Sequence, residues 1–229
     1  MKRFAFVGLA FGLCLVSHGA GAVSLIDHSA GLKLMAGADV WSTPDNVPVL
    51  YQNGLGFVGN AGGIGYGVMP YYELRIIKLV GVEADINYEH GSIHRNVSVN
   101  SVSYTETMTI NSWRLPILAK LNIPLGLGRF WLGLGPEFTL AQSSSEKTEG
   151  GPLAVNYATK DKKPTFFTGG IGLVIEIPLT GLEIPVEFRA SKNLSQSSNY
   201  MERVDTNPPA IHAESTWVYR LGAGLGFQF

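Results

Sequence analysis

His90 and Ser92 stand two residues apart. On an extended strand that spacing puts an imidazole base and a hydroxyl on one face, the beginning of a nucleophilic dyad. A working dyad also needs a third group to orient the base, and Glu89 and Glu106 are the acids nearby in sequence. A second constellation is larger. Lys33, Asp39, Glu83, Asp85, Arg114, Lys120, Glu137, Glu176, Glu187, Arg189 and Arg220 recur at every other position of alternating stretches. Bases and acids nearly balance, so side chains facing one shared space could pair into a network that fills it. His28, His94 and His212 are scattered without metal-ligand spacing, and the glycines follow strand parity without leading into a helix. No metal, phosphate-binding loop or cofactor is expected from them.

These residues are positioned by strands. In the closing stretch, 215–229, Trp217, Tyr219, Leu221, Ala223, Leu225, Phe227 and Phe229 share one parity, and Thr216, Val218, Arg220 and three glycines hold the other. Strict alternation means a strand with one apolar face, and about ten tilted residues cross a bilayer core. The same rhythm runs through 30–41, 62–72, 80–89, 113–123, 130–140, 167–177 and 183–191. The connections alternate between long polar stretches (42–60, 141–163, 192–214) and short turns (73–78, 124–128, 178–182). The pattern predicts an all-β fold, an eight-stranded antiparallel up-and-down transmembrane β-barrel. Its apolar row would face lipid, with Tyr72, Tyr88, Trp113, Trp217, Tyr219 and Phe229 near the interfaces, and its charges would fill the lumen. A soluble exported barrel would alternate too and is the competing architecture.

Lys2 and Arg3, the apolar run 4–16 and Ala20-Gly21-Ala22 have the layout of a cleaved signal peptide over 1–22, leaving 23–229 as one barrel domain. Cys14, the single cysteine, would leave with it, so stability must come from a closed ladder or a core and not from disulfides. The mature chain would keep 15 bases against 18 acids, a mild acidity that gives no argument for nucleic acid.

Between the third and fourth strands, Val97 and Val99, then Val102, Tyr104, Glu106, Met108 and Ile110, predict a hairpin over 95–110 turning at Asn100-Ser101. The apolar row is even-numbered there and odd-numbered from Trp113 on, which predicts a β-bulge near Asn111-Ser112.

With the signal peptide, the strand rhythm and the terminal Leu225-Gly226-Phe227-Gln228-Phe229, the chain resembles the small eight-stranded outer-membrane barrels of the OmpX and OmpA amino-terminal type. The resemblance implies residence in a Gram-negative outer membrane with both termini periplasmic, four surface loops and a monomeric state. It also implies that Leu225, Phe227 and Phe229 are read by the outer-membrane assembly machinery. OmpX-type proteins carry a projecting hairpin linked to adhesion, so 95–110 would meet a surface protein or host ligand. The expected function is therefore a non-enzymatic barrel with a plugged lumen, in contact with lipid, serving envelope structure or surface contact. Two alternatives stay open. One is a lipid A-modifying hydrolase using His90 and Ser92, since small lipid A deacylases place His, Ser and Glu on the barrel's outer wall. The other is a narrow, porin-like channel.

Overall fold

Alternation of side chains across each strand has one self-consistent outcome here, a sheet rolled until its first strand meets its last. The structure, a computed structural model, describes residues 25–42, 61–99, 101–150, 156–158, 163–196 and 214–229. The expected signal peptide with Cys14, the loop 43–60 and residues 197–213 lie outside the described residues. Ten strands are present among those described: β1 Ile26–Ser42, β2 Ala61–Ile76, β3 Val80–Asp85, β4 Asn87–Val99, β5 Val102–Leu125, β6 Gly128–Glu149, β7 Asn156–Ala158, β8 Thr165–Glu176, β9 Leu182–Asn193 and β10 Glu214–Gln228. All pair antiparallel, and β1 pairs with β10 from Ser29↔Gln228 to Ser42↔Glu214, which closes the ring. At the seam His28 and Phe229 exchange backbone hydrogen bonds of 3.2 and 2.9 Å.

Among the described residues the ring has eight walls, because β3 and β4 form one wall and β7 pairs there only with the far end of β6. The interruption at Ile86 has a chemical cause. Register places it opposite Pro70 on one side, and its neighbour Asp85 opposite Pro116 on the other. Neither proline has an N–H to give the ladder. Ile86 still donates to the Pro70 carbonyl at 3.0 Å, and the register continues unchanged across the gap.

Register also sets the barrel's shape. Stepping from wall to wall, His28 pairs with Leu74, then Val82, Ala119, Leu134, Gly169, Ala190, Tyr219 and finally Ala38. One circuit therefore returns ten residues further along β1. Eight strands with that stagger tilt by about 40° and enclose a backbone radius of about 8 Å. Such an interior is only wide enough for side chains to fill.

Apolar side chains cover the outside. Leu34, Leu134, Leu221 and Leu225 are each more than half exposed, and every wall contributes similar residues. A continuous apolar surface of this extent is not tolerated in water. From Trp217 to Phe227 along β10 the band spans about 25 Å of barrel axis, the height of hydrocarbon that such a barrel crosses. Aromatic groups mark its edges: Tyr88 with Trp113 and Trp217 with Tyr219 near the loop end, and His28 stacked on Phe229 at the termini end.

Three sequence expectations are corrected. β2 continues through 73–76, where a short connection was expected, because Glu73 and Arg75 extend the inward row. β6 continues to Glu149 through a stretch whose polarity predicted a loop, because its outer face there meets water. No bulge occurs at Asn111-Ser112: β4 and β5 pair in unbroken register from Asn87↔Arg114 to Val99↔Val102. The apolar residues change parity while the backbone stays straight. Tyr104, Met108 and Ile110 face inward together with Trp41, Ile93 and Val97, while the same wall's lower inward residues are Arg114 and Lys120. Above the band the outside is polar and the inside gathers apolar side chains around the buried Arg95–Glu106 pair, a partial reversal of the arrangement below. Bulges lie instead on β6, where Trp113 faces Ala141 and Arg114 faces Thr139, leaving Leu140 as the extra residue, and on β10, where Thr216 is extra between Val40↔Trp217 and Trp41↔Ser215.

Candidate functional site

The lumen is packed with charges that every wall supplies at alternate positions. Near the termini end, Arg129 Nη1 donates to Glu183 at 2.8 Å and to Glu176 at 2.7 Å. Arg75 lies 3.4 Å from the same Glu183, and Lys120 Nζ reaches Glu73 at 3.1 Å. In the middle layer, Lys33 Nζ sits between Glu83 (2.9 Å) and Glu187 (2.8 Å), and Arg189 donates to Asp85 (2.5 Å) and Glu83 (2.6 Å). Above them Arg220 Nη2 donates to Glu89 and to Glu137, each at 3.0 Å. Glu137 also accepts from Arg114 at 3.3 Å and from the hydroxyls of Thr168 and Ser191 at 2.7 and 3.0 Å. Charges removed from water are tolerable only when paired and hydrogen-bonded in this way.

Large side chains fill what the charges leave. The Trp131 ring lies under Lys120 Nζ, 4.1 Å from its centroid, and Tyr71 under Lys33 Nζ at 4.4 Å. Glycine makes room for them. A Cβ at Gly172 would sit 2.6 Å from Trp131 Nε1, and one at Gly226 would collide with the Tyr71 hydroxyl.

Of the residues singled out from sequence, Lys33, Glu83, Asp85, Arg114, Lys120, Glu137, Glu187, Arg189 and Arg220 are buried and joined by these contacts. Asp39 is buried above them, its Oδ1 without a hydrogen-bond partner among the described residues. Glu176 stands at the rim with its side chain 41% exposed. Sequence reading missed Glu73, Arg75, Glu89, Arg129 and Glu183 as members. Glu73 and Arg75 fall in the connection expected over 73–78, and Arg129 lies between the turn expected over 124–128 and the strand expected from 130; carrying strand parity past those bounds finds all three.

The outer wall separates His90 from Ser92. His90 Nδ1 is 2.8 Å from Asn111 Oδ1, which also accepts from the Tyr88 hydroxyl at 3.1 Å. Ser92 Oγ instead lies 3.1 Å from His94 Nε2, and His94 Nδ1 is 3.1 Å from Thr107 Oγ1. Glu89 and Glu106 point inward, away from all of them.

No family model matches the chain, and no curated protein does either. Among solved structures, the outer membrane protein OprG of Pseudomonas aeruginosa aligns with a TM-score of 0.52 at 8% identity, covering 89% of this chain and 95% of OprG. The fold is that of an outer-membrane β-barrel. The attachment invasion locus protein Ail of Yersinia pestis (TM-score 0.40, 12% identity, 88% of this chain and 99% of Ail) and AlkL (0.42, 12%, 93% and 95%) also align, more loosely. In this barrel the lumen charges take the place of the apolar core of a soluble protein.

Proposed function

We propose that the chain is an integral outer-membrane barrel with a sealed lumen, whose projecting strands β4 to β6 serve surface contact. The reading is carried by the change of faces along the axis: charge inside and apolar side chains outside over about 25 Å, then a polar outside around a mainly apolar interior beyond it. This layering supports a barrel that crosses a bilayer and stands out of it at the loop end only. The short turns at the other end fit the periplasmic side, so both termini would be periplasmic, and Leu225, Phe227 and Phe229 on the seam strand would serve as the assembly signal.

Among the described residues β2 pairs with β4 as far as Gly62↔His94, and β4 runs on to Val99, paired there with β5. A strand edge beyond the rim is suited to capturing an extended segment of another protein. Deleting residues 96–105 should leave the heat-dependent gel shift of the folded barrel intact and abolish binding of displaying cells to matrix proteins or host cells. Undiminished binding would remove the surface-contact role. Loss of the heat shift in the full chain would remove the membrane barrel itself.

A further inference from the structure

The stagger that closes the ring also sets the height of each outward side chain. Ten residues gained over eight walls lower a ladder row by about 3 Å in passing from β10 to β9. Lys192 on β9 pairs with Trp217 on β10, and Ala190 pairs with Tyr219. Lys192 therefore lies between Trp217 and Tyr219 in height, at the loop-end edge of the apolar band. It is exposed, and among the described residues of the band it is the one Lys, Arg, Asp or Glu on the outward face. The acids of its own strand, Glu183 and Glu187, both turn into the lumen. Lys192 Nζ stands 5.8 Å from the centroid of the Trp217 ring, and that ring stacks on Tyr219 at 6.0 Å. A lysine is tolerated on a lipid-facing wall near the interface, where its apolar stem lies along the wall and its ammonium reaches polar headgroups.

Toward the termini end from Lys192 the wall is thin. Ala190 pairs with Gly169 of β8, and a Cβ at Gly169 would meet nothing within 4 Å. Phe188 and Tyr219, stacked at 6.4 Å, stand beside this strip. A shallow furrow thus opens below the ammonium, floored by Gly169 and Ala190.

We infer that this corner of the outer wall binds one anionic lipid of the loop-end leaflet, its phosphate held by Lys192 and one acyl chain lying over Gly169 and Ala190. The inference rests on the membrane placement proposed above. Charge complementarity selects the headgroup. A lone ammonium is a compact point charge that suits a phosphate, and it gains most from a phosphate with no cation of its own. In phosphatidylcholine the choline already balances that charge.

The test uses the full chain carrying Trp113→Phe, reconstituted in phosphatidylcholine vesicles. Trp41 and Trp131 are buried, which leaves Trp217 as the outward tryptophan. Quenching of Trp217 is compared between phosphatidylcholine and phosphatidic acid with brominated chains. Phosphatidic acid should be enriched beside Trp217 about fivefold, the effect of one lysine near anionic lipid. Lys192→Ala should remove the enrichment and Lys192→Arg should keep it. Lys147→Ala, which removes an exposed lysine from the projection, should leave it unchanged. Unlabelled lipid A should displace the brominated phosphatidic acid, and dephosphorylated lipid A should not. Gly169→Leu, which fills the furrow, should weaken that displacement. Equal quenching by the two brominated lipids, or an enrichment that survives Lys192→Ala, overturns the site. Equal displacement by both forms of lipid A overturns the role of the phosphate, and displacement unaltered by Gly169→Leu overturns that of the furrow. No quenching by brominated phosphatidylcholine reports a barrel that is not inserted, so a failed membrane placement is told apart from a failed site.

Discussion

Arg189 on β9 and Glu83 on β3 belong to walls on opposite sides of the ring, four strands apart in either direction, yet Arg189 Nη2 and Glu83 Oε1 are 2.6 Å apart. A contact across the full diameter means that the lumen is bridged as well as lined. Removing one partner of a buried pair leaves the other charge without compensation, at a cost of about 3–5 kcal/mol. Arg189→Ala should therefore lower the urea midpoint of unfolding from vesicles by that order. The double variant Arg189→Met/Glu83→Gln should recover a large part of the loss. An unchanged midpoint in Arg189→Ala would show that water fills the lumen and screens the pair.

The same bridging bears on conduction. Planar-bilayer recordings of the intact barrel should show no single-channel steps. Truncating Lys33, Glu83 and Arg189 together to alanine, which clears the middle layer, should produce them. Steps from the unaltered protein would restore the channel reading.

Whether the outer band meets lipid can be decided at one leucine. Leu134 is 54% exposed and lies mid-way along the band. Leu134→Arg should cost about 2–4 kcal/mol in a bilayer-embedded barrel. Ser103→Arg, on the exposed projection, should stay within about 0.5 kcal/mol. In a soluble barrel both would be equally harmless, and that outcome would reject the membrane.

A glycine and a tyrosine test the packing of the seam. Gly226→Ala drives a methyl group into the Tyr71 hydroxyl and should destabilise the barrel by about 1–3 kcal/mol. Tyr71→Phe removes the obstructing oxygen, so Gly226→Ala should cost clearly less in that background. Equal costs in both backgrounds would place the collision elsewhere.

Much of this architecture is legible in the sequence because a bilayer imposes a strict two-residue period on each wall. Leu32, Leu34 and Ala36 against Lys33, Met35 and Gly37 already give β1 its two faces. Closure of β10 on β1 follows from the alternation of the last fifteen residues. What escaped reading lies where the surrounding medium changes. Ser143 and Ser145 of β6 look like loop residues because polar side chains face water on a strand as readily as in a loop. Met108 and Ile110 suggested a bulge because hydrophobicity moved to the other face, although the register did not move. The Ser92–His94 contact was hidden for a different reason. Three outward positions in a row carry His, Ser and His, and only geometry tells which imidazole the hydroxyl meets.

Interior and exterior trade chemical character part-way up β5, and this affects how related chains should be compared. Aligning greasy positions with greasy positions would slip by one residue near Asn111, inventing an insertion that no backbone contains. Relatives with taller or shorter projections would seem to differ by indels when they differ only in where the water line falls. Matching by ladder partner, wall against wall, keeps the true correspondence and makes the water line itself the trait that varies.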